Sequence, residues 1–431
     1  MSILSRSTHA IALALVFSTT KAFTLHGRNS NSIIASAVAR SNHYLLRPLT
    51  ASSSSSITTT ESNTDDTIID DGKTTTTTAT TPSGKEEEES CEVLLLDHLN
   101  INHEKGQQDV LKAFYFDFLG CAIDPRKYEN YIAGKKTLWA NIGMHQFHLP
   151  EGKPSAQVFS GLITLLYSDF SQLMDRYNAY LDGEDDDDER FAPLKETEFS
   201  VGMVDDMMLV TDPWGNQFCI LQSDDPVEDR AAHVGSQPVL EGHAISEGLA
   251  LEDLTVYVPH GSNLDGIGRF YEYVLGAPTV SELTEEDSIS VAMGERQTLT
   301  FQYHPDGEEE GEDVVHTEFS YDEEEEKDVD GDAVFLPVYP SNHGPHISLY
   351  VTNLSKAYEK AEELGVLYVN PRFTRKAYTK EQALDQCMFR IIDIYDPLDG
   401  GKEVIVSLEH EVRSAKKLDG TKYKSCPLLD V

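Results

Sequence analysis

Residues able to ligate metals or move protons are scattered along this chain, and two of their groupings fail a simple chemical test. The five cysteines, Cys91, Cys121, Cys219, Cys387 and Cys426, include no C-x-x-C pair. Such spacing indicates neither a disulfide framework nor a zinc ribbon, and they read as small buried hydrophobes. The run Asp328-Val329-Asp330-Gly331-Asp332 begins like a calcium loop, but its twelfth position is Tyr339 rather than Glu. A solvated acidic excursion is the expectation there. More promising are polar residues that alternate with apolar ones. His98, Asn100 and Asn102 alternate with Leu99 and Ile101, and Asp253, Thr255 and Tyr257 alternate with Leu254, Val256 and Val258. A period of two makes a strand with one apolar face and one polar face, so an imidazole and a carboxylate each stand on a strand's polar side.

Those two strands open two copies of one pattern. Leu96, Leu99 and Ile101 answer Leu251, Leu254 and Val256, and AFYFDFLGC (113–121) answers RFYEYVLGA (269–277). An internal repeat governs the fold and is sought before any motif. After each strand the apolar residues recur at three and four, as in Val110, Leu111, Phe114, Tyr115 and Phe118. A glycine then stops the helix, Gly120 in one copy and Gly276 in the other. Strand segments 137–144 and 145–150 complete module one. Module two opens at 161–169, has a helix around Leu173, Tyr177 and Leu181, and ends in 207–222; its acidic run 184–189 reads as a solvated loop. Module three begins at Leu251 and closes in 297–305. Module four has a first strand at 346–353, a helix at 354–365 and a closing stretch to Ser414. Modules two and four share an Asp-Pro turn before the last strand, Asp212-Pro213 and Asp396-Pro397. The expected fold is α+β, four βαβββ modules paired into two halves, each a cupped half-barrel sheet with helices outside.

The formal net charge of -40 over 431 residues makes contact with nucleic-acid phosphates repulsive, so nucleic acid is excluded as an expected partner. The apolar run 11–17 is too short for a permanent membrane span. With Arg6 before it and Thr20-Lys21-Ala22 after it, residues 1–22 read as a signal peptide. Residues 23–60 lack Asp and Glu and carry Arg28, Arg40 and Arg47 among Ser and Thr, the composition of a transit peptide. Together they resemble the bipartite plastid presequence of diatoms and related algae, and plastid import is the expectation, with ordinary secretion as the alternative. Residues 61–90 read as a disordered acidic linker, 91–223 and 250–414 as two folded domains joined by 224–249, 306–332 as an acidic insertion and 415–431 as a tail.

Four such modules with DP-x-G turns resemble the vicinal oxygen chelate superfamily, which includes glyoxalase I, extradiol dioxygenases and bleomycin-resistance proteins. The stretches 141–159 and 407–414 are similar to a glyoxalase-like family of cyanobacteria and plastid-bearing organisms. The resemblance covers residues 91 to about 414. It implies a divalent metal in the cup between paired modules, held by first-strand and last-strand residues. Carried over residue by residue, the second half offers Asp253, Gln302, His346 and Glu403, with Glu409 as runner-up on the same face. Zn, Mn, Ni or Fe(II) would suit that oxygen and nitrogen set. Asp253 departs from the family pattern, where His or Gln stands. In the first half His98 and His148 hold module-one positions, but Leu162 and Cys219 replace the module-two donors. That half reads as degenerate, while the inverted assignment stays open because His98 and His148 are the most ligand-like pair. The resemblance leaves two functions open. One is a metal-dependent lyase or isomerase on a small oxygen-rich substrate, with Glu403 or Glu409 as base. The other is a metal-free small-molecule-binding protein of the bleomycin-resistance type.

Overall fold

A computed structural model describes residues 90–134, 137–152, 155–182, 189–224, 230, 245–305, 316, 320–321, 326–327, 333–334, 340–342, 344–371, 373, 375–400 and 403–428. The presequence, residues 184–188 of the acidic run 184–189, most of the 306–332 insertion and its calcium-like run lie outside the described residues.

The alternation read in the sequence becomes strands whose apolar phase is fully buried. Module one consists of β1 (Val93–Asn100), β2 (Ala122–Ile123), β3 (Thr137–Ile142) and β4 (His145–Pro150). Module two consists of β5 (Gly161–Tyr167), β6 (Ser200–Val204), β7 (Met207–Thr211) and β8 (Gln217–Gln222). Module three supplies β9 (Gly248–Val258), β10 (Ser288–Ala292) and β11 (Thr298–Tyr303). Within the region of the acidic insertion and just beyond it, β12 (Ser320–Tyr321) pairs β15 (Pro340–Asn342), and β13 (Glu326–Lys327) pairs β14 (Ala333–Val334). Module four supplies β16 (His346–Val351), β17 (Leu367–Tyr368), β18 (Met388–Tyr395) and β19 (Val404–Ser414).

Sheet order shows how the modules join. One eight-stranded sheet runs β17-β18-β19-β16-β1-β4-β3-β2, and one seven-stranded sheet runs β10-β11-β9-β5-β8-β7-β6. Module one therefore pairs with module four, and module two with module three. The pairing crosses the chain and does not stay within residues 91–223 and 250–414. In both sheets the join is made by the two first strands, antiparallel, and each first strand holds its own module's last strand in parallel on its other edge. Leu99 thus lies between Ile347 and Phe147, and its repeat partner Leu254 between Ile163 and Leu299. The two repeat copies occupy equivalent sheet environments, both fully buried.

Helices cover the apolar faces. The module-three helix Leu264–Leu275 buries Ile267, Phe270, Tyr271 and Val274. Each such side chain is worth about 1.5–3 kcal/mol relative to exposure. Its Asn263 side chain accepts from the Gly266 amide, and Gly276 ends it at φ +65°. The Tyr271 hydroxyl reaches Nε2 of His410 on β19 at 2.6 Å. Because Nδ1 of that ring faces the Leu408 carbonyl at 2.6 Å, it carries the hydrogen and Nε2 accepts. In module one, Gln108–Lys112 is α-helical and continues as a π-helix over Ala113–Phe118, where the Leu119 amide bonds the Phe114 carbonyl.

Candidate functional site

The polar faces of the strands look into two cups, and the register decides what meets in each. In the sheet of modules one and four, Asn100 stands opposite both His148 and His346, and His98 opposite Gln146 and Ser348. Three buried imidazoles from β1, β4 and β16 therefore share one place. The rings of His98 and His148 stack with centroids 3.6 Å apart, and His346 lies edge-on to His98 at 6.0 Å. Trp139 stacks on His148 at 4.4 Å. A register shift between Leu96 and His98 breaks the alternation, and Asp97 bonds Nδ1 of His98 at 2.7 Å.

On β19, Glu409, Glu411 and Arg413 follow at two-residue spacing, with Glu409 in register with His346. Arg390 on β18 bonds both Glu409 and Glu411, and Arg413 bonds Glu411. Arg413 also approaches Asp97 at 3.7 Å, and Arg230 donates to Asp97 at 2.7 Å and to the Met144 carbonyl at 2.8 Å. The result is an alternating chain of charges: Arg230, Asp97, Arg413, Glu411, Arg390, Glu409. Asn370 closes it, donating to both oxygens of Glu409 at 3.0 and 2.8 Å. Of these groups Arg230, Arg390, Glu411 and Arg413 line, with the three imidazoles, a cavity of about 260 Å³. That is slightly below the ~300–1,000 Å³ typical of drug-sized sites, so the cavity has room only for a small molecule.

Burial and these ion pairs set the protonation states. Burial pushes Glu411 and Asp97 up, but arginines outweigh it: Arg390 and Arg413 hold Glu411 well below the usual carboxylate range, and Arg230 and Arg413 hold Asp97 below it. Glu409 is raised, because its burial is more complete than its pairing compensates. His98 and His148 are pushed well below the usual imidazole range by burial first. Arg413 and nearby charge then add to the effect for His98, and His98 itself adds to it for His148. Both rings are neutral near pH 7. Since Asp97 is ionised, Nδ1 of His98 must carry the hydrogen, which leaves Nε2 as a bare acceptor. That atom is buried without a partner among the described residues.

The other cup is of a different kind. Asp253 is fully buried there and accepts from the hydroxyls of Thr298 and Thr300 at 2.7 Å and of Thr255 at 2.9 Å. Gln302 is half-buried on β11 opposite Ser288. Leu162 and Cys219 pack with Met207 and Leu221 in an apolar cluster. The convergence of Asp253, Gln302, His346 and Glu403 expected from the sequence does not form. A strand has two edges, and those of β9 are taken by β5 and β11, so β16 joins β1 and carries His346 into the other sheet. Glu403 is exposed in the bend before β19, and Glu409 is the carboxylate that meets His346. The structure does bring His98, His148 and His346 together. The arginines were not singled out from the sequence, although Glu409, Glu411 and Arg413 share a face at two-residue spacing and could have marked the charged stripe. The tail also joins the site. Tyr423 and Ser425 line the cavity, and Tyr423 and Cys426 pack against Leu95 and Tyr350.

The metal implied by the resemblance can be tested on this donor set. Among the described residues no three His, Cys, Asp or Glu side chains are placed to share one ion. Two of the imidazoles face each other ring to ring, where ligands of one ion must instead aim nitrogens at a common point about 2.0–2.1 Å away. The carboxylates are bonded to guanidiniums, and that positive charge opposes a cation. The donors as arranged do not fit a divalent metal.

Comparison with family models and with curated proteins finds no match. Among solved structures the chain is similar to glyoxalase I from Zea mays, at 12% identity over 75% of this chain and 92% of that one, TM-score 0.38. It is similar to the CppA protein from Streptococcus pneumoniae, at 10% identity over 75% and 100%, TM-score 0.35. A third is the 2,3-dioxygenase LapB from Pseudomonas sp. KL28, at 12% identity over 75% and 92%, TM-score 0.24. Likenesses this distant carry no argument about the site, and the architecture stands on its own sheet order.

Proposed function

We propose that this chain, whose four modules have the paired arrangement of the vicinal oxygen chelate fold, is a small-molecule-binding protein of the bleomycin-resistance type. It takes its ligand in the cup between modules one and four without a divalent metal. The observation that carries this reading is the state of the cup carboxylates: Glu409 is bonded by Arg390 and Asn370, and Glu411 by Arg390 and Arg413. A metal would have to displace a guanidinium from each, leaving a buried cation unpaired, which is a costly exchange.

A second reading, a metal-dependent lyase or isomerase, is favoured by one feature. His98 is oriented by Asp97 and holds an unpartnered Nε2 beside two further imidazoles, which is how a carboxylate positions a metal-ligating histidine. Metal analysis of the purified full chain, followed by titration with Zn, Ni, Mn and Fe(II), separates the two. The expected result is substoichiometric metal and no saturable uptake. One equivalent of tightly held metal that His98→Ala abolishes would replace the first reading by the second.

A further inference from the structure

The charges of the cup do not cancel, and this points to the chemistry of what fills it. Five arginines line the cavity: Arg126, Arg230, Arg375, Arg390 and Arg413. Four carboxylates answer them, Asp97, Asp124, Glu409 and Glu411. The fifth guanidinium, Arg375, bonds the Tyr423 hydroxyl at 2.6 Å and no carboxylate among the described residues. These guanidiniums outnumber the carboxylates by one, in a chain whose net charge is -40.

Two inner arginines are also short of acceptors. Arg230 is 1% exposed and Arg390 4% exposed, and Nε–H of each is buried without a partner among the described residues. A buried unsatisfied donor costs about 1–3 kcal/mol, more when charged, and a ligand oxygen would relieve it. Nε2 of His98 has the opposite need, since its bare lone pair asks for a donor.

We propose that the cup binds a small monoanion that carries a hydroxyl beside its carboxylate or phosphate group. The oxyanion accepts from the guanidiniums, with Arg375 supplying the balancing charge, and the hydroxyl donates to Nε2 of His98. Binding is non-covalent, and no bond is made or broken. The inference rests on the metal-free reading and narrows its ligand class.

The test uses the full chain, treated with EDTA, and calorimetric titration with glycolate, acetate and inorganic phosphate. Glycolate is expected to bind saturably and more tightly than acetate, because acetate lacks the hydroxyl; dihydrogen phosphate, a monoanion that brings its own O–H, should also bind. Arg390→Gln strands Glu409 and Glu411, so its failure to fold would be uninformative. Arg375→Gln is the working variant, because Arg375 is exposed and Gln can still reach toward Tyr423. It should weaken glycolate binding about ten-fold, equal to about 1.4 kcal/mol, while leaving the unfolding midpoint in place. If the EDTA-treated chain binds uncharged ligands in this cup but none of the three anions, the inference falls and the metal-free reading stands. If the anions bind only after a divalent metal is restored, both fall. Equal affinity for glycolate and acetate overturns the role given to His98, and with it the hydroxyl requirement.

Discussion

One dipeptide in two settings shows how far a residue's behaviour depends on what faces it. Asp212 and Asp396 each open an Asp-Pro turn and each accept backbone amides two residues on, from Trp214 at 2.8 Å and from Leu398 at 3.0 Å. Asp212 is fully buried with no cation bonded to it among the described residues, and burial pushes it up to about 6. Asp396 accepts from Arg269 at 3.0 and 2.6 Å and from Asn263 at 2.9 Å, and the Arg269 bond, against burial, brings it down to about 2. The unfolded value of an aspartate is about 3.9. Because the folded value of Asp396 is depressed, its stabilisation is complete above about pH 4 and is lost as pH falls toward 2; for Asp212, raised when folded, the contribution grows as pH falls from about 6 to about 4. Asp396→Asn is therefore expected to cost about 1 kcal/mol at pH 7, a figure kept low because the Arg269 side chain is 38% exposed. Urea unfolding at pH 7, 5 and 3 reads this directly. A gap between variant and parent that does not narrow at pH 3 would show that the carboxylate charge is not what clamps the module-three helix to the module-four turn.

At the scale of elements, helix ends that look alike in sequence differ in what surrounds them. Gly276 and Gly365 both stop a helix in the left-handed region, at φ +65° and +71°. Any L residue there pays the same conformational penalty of about 1–2 kcal/mol. A Cβ on Gly365 would meet nothing within 4 Å, whereas one on Gly276 would fall 1.7 Å from the Cys91 carbonyl oxygen. Gly365→Ala should thus lose about 1 kcal/mol, and Gly276→Ala should lose several times more, because the chain entering β1 has to move. Thermal unfolding of the two variants compares them under identical conditions. Similar losses would mean that the approach of residue 91 to the module-three helix is not held tightly. That approach matters for the site, since β1 leads directly to Asp97 and His98.

At the scale of the whole molecule, each sheet is built from both ends of the chain or from its middle. Modules one and four make the cup with the imidazoles and arginines, and modules two and three make the cup around Asp253. Separating the chain between modules two and three leaves β1 and β5 without their antiparallel partners β16 and β9, and unpaired strand edges of that length associate. The two pieces, produced together, are expected to elute as one complex on size-exclusion chromatography, and either alone to be aggregated or self-associated. Two stable monomeric pieces would contradict the crossed pairing. Much of this fold was legible beforehand. Alternation fixes the faces of β1 and β9, the three-and-four spacing and terminal glycines fix the helices, and the repeat at Leu96 and Leu251 announces equivalent modules, because all of these are local properties of neighbouring residues. His98, His148, His346 and Glu409 were recognisable as polar residues on strand faces for the same reason. Which module each would meet was not, since either of two similar first strands can pair with β16, and the choice rests on packing across more than 240 residues of sequence between β1 and β16. The charge of the cup follows from that choice alone: only when β19 lies beside β16 and β16 beside β1 do Arg390 and Arg413 reach Glu411 and Asp97.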